Sequence, residues 1–265
     1  PKTHVFERRN GLYSLIMMAH PNYGLPYGSL PRLLLAWISR EVIRSNLPTV
    51  ELGNTLSSFL RTLKLSRQGG ERGDITRLRH QMLRLFTTHI SWVYDDKKQA
   101  HTSGQNITLT RSYQLWGSPL KTGQKTLHTS HITLGEDFFE ELVRCPVPVD
   151  FGVLQTLRRS PLQIDIYTWL TYRFSFLKKE TLIPWGHLKS QFGADYSSGP
   201  QGLRDFKRKF LSALNVVSLI YKCAKFEVDD SGIELIPSKT HVGKAQSKKA
   251  DSIRKKLVDN QSYPR

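Results

Sequence analysis

Apolar positions recur at helical spacing through much of the chain and alternate in a few short runs. In the second half, Ile164, Tyr167, Leu170, Phe174 and Leu177 follow Ser160-Pro161, a side-chain cap and then a proline suited to the first helical position. An amphipathic helix is predicted there. Trp185, Leu188 and Phe192 share one side of residues 181–192, which predicts a short second helix stopped by Gly193 in the left-handed conformation. After Pro200, apolar Leu203, Phe206, Phe210, Leu211 and Leu214 predict a third. Residues 225–228 and 233–236 then alternate about Asp229-Asp230-Ser231-Gly232, a β-hairpin signal. Helix, helix, turn, helix, hairpin is the order of a winged helix.

The first half repeats this order less cleanly. A helix from Pro31 to about Arg44 is followed by a second through Leu56, Phe59, Leu60 and Leu63, then by a Gly-rich turn and a third helix from near Asp74, with Ile75, Leu78, Met82, Leu85 and Phe86 as its stripe. Strand-like runs follow at Ile90, Trp92, Tyr94 and at Ile107, Leu109, with further strands at residues 12–18 and 131–134. At 146–150 two prolines hold the chain extended before Asp150, a helix cap. The predicted fold class is therefore α+β: a winged-helix domain over 1–148, a second over 149–238, and a basic tail over 239–265.

Charge names the class of partner. The 265 residues carry 39 Lys+Arg against 22 Asp+Glu, a net +17 whose usual counterpart is a polyanion. The last 27 residues hold 8 basic and 2 acidic groups and few large apolar ones, as a solvated tail does. Its Lys248, Lys249 and Lys255 are candidate phosphate contacts; a helix over residues 252–258 on DNA and a merely solubilising tail both fit this composition. The longest apolar run, residues 33–38, is far short of the ~20 needed to cross a bilayer, so no membrane partner is expected. Cys145 and Cys223 lack paired spacing, and no apolar signal segment opens the chain, so a cytoplasmic protein with reduced thiols is expected.

With the apolar stripe of the helix after Pro200 turned inward, an advance of ~100° per residue places Gln201, Arg204, Asp205, Arg208 and Ser212 outward, with Lys207 and Lys209 as further candidates. Arg can pair guanine, Gln adenine, and Asp can accept from cytosine. Any soluble helix shows charge outward, but the third helix of such a unit is the one that enters a major groove. On the helix from Asp74, Arg77, His80 and Arg84 fall outward as candidate backbone contacts, with Gln81 on the far flank. The second unit is expected to read bases and the first to hold backbone, dimerise, or both.

Catalytic signatures are missing. Residues 128–131, His-Thr-Ser-His, lack the metal-binding spacing of a nicking initiator, no His-x-x-Arg box occurs, and no aspartates alternate as in a two-metal site. His128, His131 and Cys145 could meet around zinc, but ordinary placement explains scattered ligands better. A non-enzyme without cofactor is expected.

Several ordered blocks resemble the plasmid-encoded RepA replication initiator family: Gly-Leu-Pro-Tyr-Gly-Ser-Leu-Pro-Arg-Leu-Leu-Leu-Ala-Trp over 24–37, Leu-Gly-Asn-Thr-Leu-Ser-Ser-Phe over 52–59, Gly-Gly-Glu-Arg-Gly over 69–73, Gln-Met-Leu-Arg-Leu-Phe over 81–86, Leu-Arg-Arg-Ser-Pro-Leu over 157–162 and Gln-Phe-Gly-Ala-Asp-Tyr over 191–196. The resemblance spans about residues 6–240. It implies two winged-helix domains that bind directly repeated double-stranded DNA (iterons) at an origin, promote melting of an A·T-rich segment, and recruit host DnaA and the DnaB helicase. The alternative is a winged-helix repressor acting at an operator. Tandem direct repeats beside an A·T-rich stretch would mark the first, a lone inverted repeat over a promoter the second.

Overall fold

The computed structural model describes residues 4–66, 73–97, 100–116, 130–193 and 196–242. The first half runs β1 (Val5–Asn10), β2 (Tyr13–Met18), α1 (Ser29–Ser45), β3 (Thr49–Gly53), α2 (Leu56–Thr62), α3 (Asp74–Phe86), β4 (His89–Asp96), β5 (His101–Thr108), β6 (Thr110–Gln114), β7 (Ser130–Leu134) and α4 (Glu136–Arg144). The second runs α5 (Phe151–Thr156), α6 (Pro161–Phe176), β8 (Thr181–Pro184), α7 (Trp185–Phe192), α8 (Pro200–Ile220), β9 (Lys225–Val228) and β10 (Gly232–Ile236). Local chemistry sets the starts of several helices. Thr55 accepts from the Ser58 N–H at 3.1 Å to open α2, Asp150 from Val153 at 3.1 Å to open α5, and Ser160 from Gln163 at 3.4 Å to open α6.

One topology occurs twice. Helix, strand, helix, helix, strand, strand describes α1-β3-α2-α3-β6-β7, whose strands pair in the order β3-β7-β6, and equally α6-β8-α7-α8-β9-β10, whose strands pair β8-β10-β9. The first copy carries an addition: β1, β2, β4 and β5 form a separate four-stranded antiparallel sheet in that order.

Two apolar cores lie under these layers. One gathers Leu34, Ile38, Phe59, Leu60, Leu78 and Met82; the other gathers Ile164, Tyr167, Leu170, Phe206, Phe210 and Leu235. Helix α1 feeds both, since Leu33 belongs to the second core and its neighbour Leu34 to the first.

Three sequence expectations change. Residues 181–184 form strand β8 rather than the first turn of a helix: Ile183 is buried opposite Ile233, and Pro184, at φ −60 and ψ 146, ends the strand so that α7 begins at Trp185. Gly193 has φ −116, so it is not a left-handed stop. Its missing side chain matters through space instead, because a Cβ there would lie 2.8 Å from the Phe206 ring. Finally, residues 239–242 are part of the second unit. The Tyr221 hydroxyl donates to the Lys239 carbonyl at 2.9 Å, and His241 Nδ1 lies 3.0 Å from the Tyr167 hydroxyl.

Candidate nucleic-acid interface

The rotation of α8 is fixed by its buried side. Phe206 and Phe210 are buried, and the Phe210 ring meets Trp169, Trp185 and Phe192 at centroid distances of 6.4, 6.2 and 5.3 Å. These edge-on contacts leave the opposite face open, where Gln201, Arg204, Arg208, Lys209 and Ser212 are exposed and Asp205 is half-buried. At its start Gly199 gives no side-chain cap, and the first turn carries no acidic residue. The N–H groups of Gln201 and Gly202 have no partner within the helix, and with the positive end of the helix dipole they favour an anion. The loop before it passes so close that a Cβ on Gly202 would lie 2.0 Å from the Ser197 carbonyl oxygen. Lys189 of α7 donates to that carbonyl at 2.6 Å.

Three of the predicted residues form one network. Gln201 Nε2 donates to Asp205 Oδ2 at 3.1 Å, and Arg208 Nη2 donates to Asp205 Oδ1 at 2.9 Å. Both oxygens of Asp205 are thereby engaged, while Arg208 keeps further N–H donors and Gln201 keeps its carbonyl oxygen and one N–H. Lys207 faces elsewhere: its ammonium donates to the Asp230 carbonyl at 3.1 Å and stands 5.0 Å from the Trp185 ring centre. The β9–β10 turn is pinned at the same place, with Trp185 Nε1 donating to the Asp229 carbonyl at 3.0 Å. Hydrogen bonds from Ser231 and Gly232 hold the Asp229 carboxyl below its ordinary pKa.

On α3, Arg77 is exposed and pairs with Asp74 at 3.5 Å, and His80 is exposed. Arg84 does not stand free as its rotation suggests. It is half-buried, donates to the Leu25 carbonyl at 3.0 Å and lies 5.1 Å from the Tyr27 ring centre, while buried Gln81 accepts from the Tyr27 N–H at 3.0 Å. The segment that covers this flank is framed by Gly24 and Gly28, with φ of 75 and 76. That Gly-Leu-Pro-Tyr-Gly pattern is the signal that could have placed it. Lys248, Lys249 and Lys255 lie outside the described residues, as does His128. His131 sits on β7 and Cys145 is exposed at the end of α4; among the described residues no three His, Cys, Asp or Glu side chains group as metal ligands.

Residues 25–186 match the family described as "Plasmid encoded RepA protein". The chain belongs to that family. The match covers the whole first copy of the topology and ends within α7, so α8 of this RepA-family chain follows the matched segment. It is the same replication-initiator family that the sequence blocks resemble. Two solved structures share the fold. The crystal structure of the selenomethionine derivative of domains 2 and 3 of RctB aligns at a TM-score of 0.60 and 11% identity, covering 92% of this chain and 93% of that one. A second crystal structure of RctB domains 2–3 aligns at 0.53 and 10% identity, covering 88% and 90%. No curated protein matches the RepA-family chain. Among its described residues no helix is long and apolar enough to cross a membrane.

Proposed function

We propose that this protein is a plasmid replication initiator made of two winged-helix units, and that it binds directly repeated duplex DNA at an origin. The single observation that carries this reading is the open face of α8, where a buried aromatic stripe fixes Gln201, Arg204 and Arg208 outward on the third helix of the repeated unit. Family membership and the net +17 support it. Gln201 and Arg208 suit adenine and guanine, Arg204 and Lys209 suit guanine or phosphate, and Arg77 and His80 suit backbone contact by the first unit. Lys248, Lys249 and Lys255 add sequence-independent affinity. Binding melts a neighbouring A·T-rich segment without cutting DNA, in the bacterial cytoplasm; the family resemblance adds DnaA and DnaB as partners, and the first unit offers a surface for a homodimer.

The test is a footprint of the pure protein on its parent replicon, with magnesium and supercoiled plasmid. Protection of tandem repeats, with melting and no nick, is the expected result. Protection of a lone inverted repeat over a promoter would make it a repressor instead. Site-specific nicking would make it an enzyme.

A further inference from the structure

The four-stranded sheet that the second unit lacks carries a row of rings on one face. Tyr13 on β2 stands opposite Tyr94 on β4, and Leu15 opposite Trp92, so alternation puts all four side chains on the same side of the two central strands. The Tyr13 centroid is 5.0 Å from Tyr94 and 6.4 Å from Trp92, and Tyr94 is 5.9 Å from His101 on β5. Four rings thus follow one another across the sheet. Tyr13 is 57% and Leu15 38% exposed, which is costly for an ornament of the surface and ordinary for a contact platform.

The row opens onto a cleft of about 480 Å³ between this sheet and the end of α7, lined by Arg8, Tyr13, Ser14, Leu15, Trp92 and Gln191. Arg8 donates to the Gln191 carbonyl and lies 5.3 Å from the Phe6 ring centre, which holds its guanidinium at the cleft wall. Burial and the nearby Asp96 carboxylate raise the Tyr94 pKa, so its ring stays neutral. A duplex cannot insert its paired bases between such rings. Unpaired bases can, because every base has a π-face, and an antiparallel sheet with aromatic residues on its central strands is a known way to stack two or three of them.

We infer that the Trp92-Tyr13-Tyr94 face binds single-stranded DNA, by stacking bases on the rings while Arg8 and the net positive chain attract the phosphates. The site lies against α7, beside the helix proposed to hold duplex, so one molecule could grip a repeat and an opened strand together. The inference does not depend on the duplex reading, because its probe has no duplex.

The experiment uses the full chain and fluorescence anisotropy with labelled oligo-dT, alongside a duplex carrying the footprinted repeat. Tyr13→Ala and Tyr94→Ala should each weaken oligo-dT binding by about tenfold and leave duplex binding within about twofold. Tyr13→Phe should retain oligo-dT affinity, since the ring is kept. Circular dichroism on each variant separates lost stacking from lost fold, and Tyr94→Leu, which removes the ring but keeps apolar bulk, serves where an alanine variant does not fold. Oligo-dT affinity that is unchanged in the folded ring variants, or that falls only with Arg204→Ala and Arg208→Ala, overturns the inference. So does a ring variant that turns a dimer into a monomer with oligo-dT affinity intact, because the face would then be covered by a second copy. Failure of the duplex arm alone leaves the oligo-dT result standing and strikes the proposed function instead.

Discussion

Arg32 on α1 grips Asp165 on α6 with two parallel bonds, Nε to Oδ1 at 2.6 Å and Nη2 to Oδ2 at 2.7 Å, and donates a third from Nη1 to the Gly28 carbonyl at 2.7 Å. The pair joins the two copies of the topology, and each side chain remains 34% exposed. A fork-to-fork pair is stronger than a simple surface ion pair, though solvent screens part of it. Arg32→Ala should lower stability by about 1–2 kcal/mol in urea denaturation. Arg32→Lys should recover less than half, because an ammonium cannot fill both oxygens from one plane. Full recovery by lysine would show that charge alone matters there.

Gly202 and Gly186 make a contrasting pair. A Cβ on Gly202 would sit 2.0 Å from backbone oxygen, whereas one on Gly186 meets nothing within 4 Å. Gly202→Ala should cost about 1–3 kcal/mol and shift the start of α8, so repeat binding falls with it. Gly186→Ala should be neutral or stabilising by up to about 1 kcal/mol. Denaturation midpoints and anisotropy on the two variants check both.

Asp205 is expected to act through Arg208 rather than on a base, since its oxygens are already taken by Arg208 and Gln201. Arg208→Ala should cost about 1–3 kcal/mol on the repeat and little on random DNA. In a double-mutant cycle, Asp205→Ala should then add clearly less in the Arg208→Ala background than in the wild type, with a coupling of at least about 0.5 kcal/mol. Additive costs would mean that Asp205 touches DNA on its own.

Alkali should unfold the second unit through its phenols. Burial pushes Tyr167 up to about 12 and raises Tyr221 as well. A folded value above the unfolded value of about 10 gives stability that is fully present below pH ~10 and is lost as pH rises through about 12. The last tyrosinate absorbance should therefore appear together with the loss of far-ultraviolet circular dichroism. Tyrosinate signal that completes while the helical spectrum persists would contradict the burial of these rings.

Helix α8 was legible because its apolar stripe repeats over several turns, and the spacing of 201, 205 and 208 already allowed the contacts that form. Strand β8 was not. Four residues are too few to show alternation, and its partner β10 lies about fifty residues further on, so only tertiary pairing distinguishes it from the helix that follows. Helical rotation also places a Cα rather than the tip of a long side chain, which is why Arg84 could turn to the Leu25 carbonyl. Strand β1, reading Val-Phe-Glu-Arg-Arg-Asn, has no apolar period; it is held by its pairing with β2.

Leu33 and Leu34 sit side by side on α1 and face different cores, and that adjacency governs how the protein emerges from the ribosome. Leu34 can be covered once α2 and α3 are made. Leu33 must wait for Ile164, Phe206 and Leu235, over a hundred residues later, a delay on the order of ten seconds at ordinary synthesis rates. During that interval Leu33, and Ala36 less than one turn further along α1, wait for the core that covers them in the finished fold. The first half made alone should therefore aggregate more readily than the full chain.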